Sequence, residues 1–180
     1  GTVGQATGVE IAIMDMAARG QLQKTGDIGE IVIKGENVMH GYNNNPEANA
    51  EAFVDGWFRT GDQGFLDAEG YLALTGRIKE LINRGGEKIS PLEIDGILLK
   101  HPAVSEAVCF AVPDEKYGEV VHAAVVLKGD ADQETIRTYC REQMAGFKVP
   151  DVVYIADSLP RTATGKIQRR HMVAAFAEEK

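Results

Sequence analysis

The chain predicts an α+β fold in two units, on three features. Its first third carries short apolar–polar alternations set between glycines, the period-2 pattern of half-buried strands. Its character changes near Arg77. From there to the end, strand-like apolar runs alternate with stretches of helical spacing.

Taken in order, Val9–Asp15 and Gly29-Glu30-Ile31-Val32-Ile33-Lys34-Gly35 read as strands. Asn45 before Pro46 starts a short helix over Pro46–Phe53, since asparagine caps the first turn and proline is pre-set for the first helical position. Trp57–Asp62, Gly64–Asp67 and Gly70–Gly76 read as short strands, with Asp67-Ala68-Glu69-Gly70 as a hairpin turn. Ser90-Pro91-Leu92-Glu93 has the form of a capping box and opens a helix that should run to about Lys100, ahead of Pro102. Val104–Val112 and Val120–Leu127 are apolar strands joined by the turn-forming Pro113–Gly118. Asp132–Met144 is helical, with Ile136, Tyr139, Cys140 and Met144 on one stripe. A strand at Val152–Ile155 and a closing helix over Gln168–Glu179 complete the order.

Composition removes several functions. Of 180 residues, 44% are apolar and 26% charged, and 19 Lys+Arg against 27 Asp+Glu leave a net charge of −8. That balance argues against a general binder of nucleic acid or anionic membrane, which draws its affinity from positive charge. The apolar run Ala107–Val112 falls far short of the ~20 residues of a membrane span. Cys109 and Cys140 make neither a disulfide framework nor a metal cluster, and His40, His101, His122 and His171 lack metal-ligand spacing, so no metal site is expected. The chain opens on Gly-Thr-Val-Gly with no Met and runs straight into a strand, so it is expected to be the C-terminal part of something longer. With no basic, apolar leader and no peroxisomal tripeptide at Ala177-Glu178-Glu179-Lys180, the cytosol is the expected compartment.

Three segments carry candidate chemistry. In Pro160-Arg161-Thr162-Ala163-Thr164-Gly165-Lys166-Ile167, a polar turn presents one long cation able to reach a phosphate or carboxylate. It is not a Walker A loop, because the spaced upstream glycine is missing, and a plain helix start with a surface lysine fits the spacing as well. Gly76–Pro91 gathers four cations around Gly85-Gly86, which suits either close backbone approach to a ligand or a hairpin turn with solvated charges. In Arg59-Thr60-Gly61-Asp62 the carboxylate can accept from a ribose diol or close an Asx-turn on its own backbone. Arg169-Arg170 reads as the solvated face of the last helix.

In this order, Trp57–Asp62, Gly76–Glu80, Gly85–Ile94 and Pro160–Ile167 resemble the motifs of the acyl-CoA synthetase, luciferase and peptide-synthetase adenylation superfamily. Gly29–Gly35 with Gly41-Tyr42 is similar to an earlier motif of those enzymes, and Arg77–Ile94, Ala111–Val121 and Ala163–Arg170 most resemble its oxalate–CoA ligase branch.

The resemblance implies residues 1–77 as the β-rich tail of a large adenylating domain and 78–180 as a complete small α+β domain, a short sheet flanked by helices. It implies a two-step ligase that uses a small carboxylic acid, ATP with Mg²⁺, and CoA as substrates, with no tightly bound cofactor. Asp62 and Arg77 would bind the ribose. Lys166 would bridge carboxylate and phosphate as the catalytic cation, Lys79 would be the hinge, and Arg84 and Gly85 would approach CoA. The partner would be the missing N-terminal domain, without which the chain is expected to be inactive. A module loading a carrier protein and a non-catalytic fragment are the alternatives.

Overall fold

The computed structural model describes residues 1–177 and divides the chain into two compact units, the first Gly1–Lys79 and the second starting at Glu80.

The first unit is a six-stranded antiparallel sheet. Its elements are β1 (Gly4–Gln5), β2 (Glu10–Met14), β3 (Gly29–Lys34), α1 (Pro46–Ala52), β4 (Phe53–Val54), β5 (Trp57–Leu66) and β6 (Tyr71–Arg77), in the strand order β1-β6-β5-β3-β2, with β4 paired to β5. The Asn45 side chain accepts from the Ala48 N–H at 3.1 Å, the cap that its position before Pro46 predicts. Asp67 closes the β5–β6 turn: its Oδ1 accepts from the Glu69 and Tyr71 amides at 3.0 and 2.8 Å.

Two expectations fail here. Trp57–Asp62 and Gly64–Asp67 are not separate strands but one ten-residue strand, β5, which absorbs its glycine through a register shift between Gln63 and Gly64. Nor is β3 half-buried: Gly29–Val32 are all buried, because β2 and β5 flank the strand. Gly29 pairs with Gly64, and a Cβ on either would run into backbone, the Met14 carbonyl in one case and the Ala73 carbonyl in the other.

After the 3₁₀ turn Ile78–Glu80, whose last residue begins the second unit, comes a tight hairpin, β7 (Ile82–Arg84) and β8 (Glu87–Ile89). Then follow α2 (Pro91–Leu98), β9 (Val104–Asp114), β10 (Gly118–Leu127), α3 (Gln133–Gln143) and β11 (Val152–Ile155). Strand β10 organises the sheet: β9 runs antiparallel along one edge, and β11, parallel, shares the other edge with β7. The strands β9 and β10 continue into the expected turn as far as Asp114 and Gly118, leaving Glu115–Tyr117 as the connection, closed by Asp114 Oδ1 on two amides. One face of the sheet packs Ile94, Leu98, Ile136 and Cys140 of the two helices; the other packs Leu159 and Met172 on Val108, Phe110 and Ala124. Both cysteines are buried and unlinked.

Asp132, expected as the first helical residue, instead caps α3 through the Thr135 amide at 2.7 Å. At α2 the capping box does not form. Ser90 stands at the cap position without a side-chain cap bond, and Glu93 instead pairs with the Lys148 ammonium at 2.7 Å. The expected closing helix is a 3₁₀ turn at Arg169–His171 followed by a π-helical turn at Val173–Ala177; its last two expected residues lie outside the described ones. Burial of Met172 and the inward pull on Arg169 override a regular α-helical ladder there. Among the described residues, no helix is long and apolar enough to cross a membrane.

Candidate functional site

In the first unit, strand pairing brings Asp62 and Arg77 together. They are directly opposite across β5 and β6, and Arg77 Nε lies 2.9 Å from Asp62 Oδ1 in an ion pair. The carboxylate therefore does not close an Asx-turn. That local bond is made by Thr60, whose hydroxyl accepts from the Asp62 amide at 3.1 Å and donates to the Ile31 carbonyl at 2.7 Å. Gly61, at φ +73°, turns the strand here with open space around its Cα.

Beneath this turn lies a residue that motif reading passed over. Glu30, 3% exposed, accepts from Arg59 Nε at 2.8 Å and from the Gly61 amide at 3.1 Å. The signal was a carboxylate in an otherwise apolar strand, which alternation alone assigns to the solvent side. The surrounding cleft, about 410 Å³, is lined in part by Tyr42, Glu51, Arg59, Thr60, Gly61 and Arg77. No hydrogen bond occupies Asp62 Oδ2 among the described residues, so the carboxylate can still accept one from a hydroxyl. Lys79 is exposed on the 3₁₀ turn, at the last position of the first unit.

In the second unit, Gly85 and Gly86 form the two-residue hairpin loop at φ +60° and +96°, the positive-φ pair that a type I′ turn requires. The Gly85 amide donates to the Tyr117 carbonyl at 2.8 Å. Arg84 is not a free cation. It pairs with Asp151 at 3.1 Å, donates to the Phe147 carbonyl at 3.3 Å and stands over the Tyr117 ring at 5.2 Å.

Lys166 occupies a separate turn, closed on itself. Arg161 and Ile167 form an antiparallel bridge, Thr162 N donates to the Lys166 carbonyl at 2.8 Å, and Lys166 N donates to Thr162 Oγ1 at 3.1 Å. Gly165 at φ +84° completes the reversal. The Lys166 side chain is exposed, and no ion pair engages it among the described residues.

Arg169, expected on a solvated face, is only 16% exposed and fully committed. It donates to Asp95 Oδ2 at 2.8 Å, to Glu80 Oε2 at 2.9 Å and to the Cys109 carbonyl. Asp95 Oδ1 accepts from the Cys109 amide at 2.5 Å, so the two side chains together satisfy both polar groups of Cys109 on the edge of β9 that faces away from β10. Desolvation holds the Asp95 carboxyl above its ordinary value against the pull of Arg169. In the same contact, the two carboxylates hold the Arg169 guanidinium more firmly protonated than usual, despite its burial. No spacing rule points to this cluster, since its members are 74 and 89 residues apart along the chain.

Residues 93–166 match the AMP-binding enzyme C-terminal domain. The chain is 52% identical over 181 residues to an oxalate–CoA ligase of Arabidopsis thaliana, an alignment covering 99% of this chain and 35% of that protein. Against an oxalate–CoA ligase of Saccharomyces cerevisiae it is 54% identical over 182 residues, covering 99% and 33%. The crystal structure of ATP-bound MatB from Rhodopseudomonas palustris matches with a TM-score of 0.92 at 36% identity, over 99% of this chain and 36% of that one. The chain thus spans about a third of the length of the curated relatives it matches. Over residues 93–166 it carries the AMP-binding enzyme C-terminal domain, and across 99% of its length it is similar to curated CoA ligases.

Proposed function

We propose that the chain is the C-terminal part of an AMP-forming carboxylate–CoA ligase, residues 1–77 being the tail of its large adenylating domain and 78–180 its small domain. The observation that carries this reading is Lys166: an exposed ammonium without an ion-pair partner among the described residues, on a turn whose backbone is already closed.

In the first half-reaction a carboxylate oxygen attacks the α-phosphorus of Mg-ATP, the bond to the β-phosphate breaks, and pyrophosphate leaves with its electron pair. Lys166 offsets the charge that gathers between attacking and leaving oxygens. The Asp62 carboxylate accepts from the ribose hydroxyls, held in place by Arg77. In the second half-reaction the CoA thiolate attacks the acyl carbon and AMP departs. Lys79 serves as the pivot between the two, in keeping with the division of the chain after that residue. With Arg84 paired to Asp151, the hairpin offers CoA chiefly its bare Gly85-Gly86 backbone.

The test uses the full-length protein with ATP, Mg²⁺, CoA and a panel of acids headed by oxalate, the acid in two relatives' names. Thioester from one acid, with adenylation lost in Lys166→Ala, is expected. Adenylate without thioester assigns a carrier-loading module instead, and no adenylate with any acid refutes the ligase. This chain alone is expected to show no turnover.

A further inference from the structure

We propose that Arg169 is a positioning residue for the Lys166 turn, an inference that rests on the adenylating role of Lys166. The turn has two anchors. At its front, Arg161 pairs with Glu106, and both side chains are well exposed; solvent screens such a pair, and it constrains little. At its rear, three residues beyond the lysine, Arg169 is held by Asp95 of α2, the Cys109 carbonyl of β9 and Glu80. The Arg169–Asp95 part of that contact is largely desolvated, so its geometry is enforced, while Glu80 joins it from a more exposed position.

Between the anchors the backbone is stiff. The Arg161–Ile167 bridge and the Gln168 N–H donating to the Pro160 carbonyl at 2.9 Å close the turn at its base, and Ile167 packs on the apolar face of the sheet. Where Arg169 is fixed, the direction in which the Lys166 stem leaves the sheet is therefore fixed too.

Glu80 adds a second consequence. It is the first residue of the second unit and follows Lys79 in sequence, so one guanidinium ties the lysine turn to the residue next to the proposed pivot. Removing Arg169 is expected to misplace Lys166 without removing its charge. Loss of adenylation rate with substrate affinity retained is the corresponding kinetic signature.

The experiment compares Arg169→Met, Arg169→Lys, Glu80→Ala and Lys166→Ala in the full-length enzyme. Acid-dependent ATP–pyrophosphate exchange reads adenylation, thioester formation from supplied acyl-adenylate reads the second step, and backbone hydrogen exchange reads residues 161–168. Arg169→Met is expected to lower exchange kcat roughly ten- to hundredfold with KM for ATP within about twofold, and to spare the second step. Arg169→Lys, which can meet one carboxylate, restores part of the rate, and hydrogen exchange accelerates at 161–168 in the Met variant.

Wild-type exchange in both Arg169→Met and Glu80→Ala, beside an inactive Lys166→Ala, overturns the proposal. So does an equal loss in both half-reactions accompanied by faster hydrogen exchange throughout the second unit. Should Arg169→Met fail to fold, Glu80→Ala decides, since it leaves the Asp95 contact in place: a lowered exchange kcat at unchanged Tm supports the proposal, and a wild-type rate overturns it. Should the wild-type enzyme adenylate no acid, the ligase reading fails separately. Hydrogen exchange then decides: acceleration confined to 161–168 upholds the positioning, and no change overturns it.

Discussion

Glu30 Oε2 accepts from Nε of Arg59 at 2.8 Å and lies 2.7 Å from its Nη2, so one buried carboxylate fixes the arginine that precedes the Thr60-Gly61 turn. Breaking a buried pair from one side costs about 3–5 kcal/mol because the other charge is stranded. Arg59 is 31% exposed and can be partly rehydrated, which lowers the expected cost of Glu30→Ala to about 2–3 kcal/mol. Trp57, the single tryptophan, starts β5, so urea unfolding followed by its fluorescence reads the first unit. A midpoint equal to wild type would show that the pair contributes nothing.

The Asp62–Arg77 pair is predicted to behave in the opposite way. Arg77 is well exposed and Asp62 partly so, and solvent screening holds the pair's contribution to about 1 kcal/mol or less. Asp62→Asn should leave the urea midpoint nearly unchanged while weakening ATP binding to the full-length enzyme about tenfold, the loss of one charge-assisted hydrogen bond. Calorimetric titration with ATP separates the two effects, and an unaltered affinity would remove Asp62 from the nucleotide site.

Two glycines are predicted to resist substitution for different reasons. Gly64→Ala puts a methyl against the Ala73 carbonyl and the Ile31 side chain, an overpacking that costs about 1–3 kcal/mol. Gly86→Ala meets open space, but its φ of +96° is strained for any L-residue, at a cost of roughly 1–2 kcal/mol. An unbranched larger residue at position 86 should cost about as much as alanine, whereas at 64 it should cost more. Paired urea titrations of Ala and Met variants check the contrast.

The acid limb of stability should report the α3 cap. The Thr135 hydroxyl and amide hold the Asp132 carboxyl below the ordinary aspartate value of 3.8, so its contribution is fully present above that value and lost as pH falls through the lowered one. The Tm difference between wild type and Asp132→Ala is therefore expected to shrink on acidification below 3.8. Asp95, held above 3.8 by desolvation, acts with the opposite sign: its contribution is greatest below 3.8 and declines as pH rises through the raised value. A difference independent of pH would mean that the Asp132 charge takes no part in the cap.

The parts legible in the sequence are those whose hydrogen bonds close within a few residues. Asn45 to Ala48 and Asp67 to Glu69 were both readable from residue type and spacing, and both form. Ser90 shows the limit of such reading. The box motif is present, but Lys148, 55 residues from Glu93, competes successfully for the carboxylate. Likewise Gly64, the expected start of a separate strand, is carried inside β5 because β3 and β6 supply its neighbours.

Residue type and spacing thus settled by themselves the α+β class and the local closures at Asn45 and Asp67, because backbone conformation is chosen over short stretches of chain, while Asp62, Arg77, Gly85 and Lys166 stand out only through the motifs they belong to. Only the tertiary structure decided which charges are committed. Glu30 finds Arg59 across 29 positions, Arg84 finds Asp151 across 67, and Arg169 finds Glu80 across 89. Whether a charged side chain is solvated, paired or buried depends on which distant segment the fold returns beside it. That same return leaves Lys166 exposed while enclosing Arg169, three residues away.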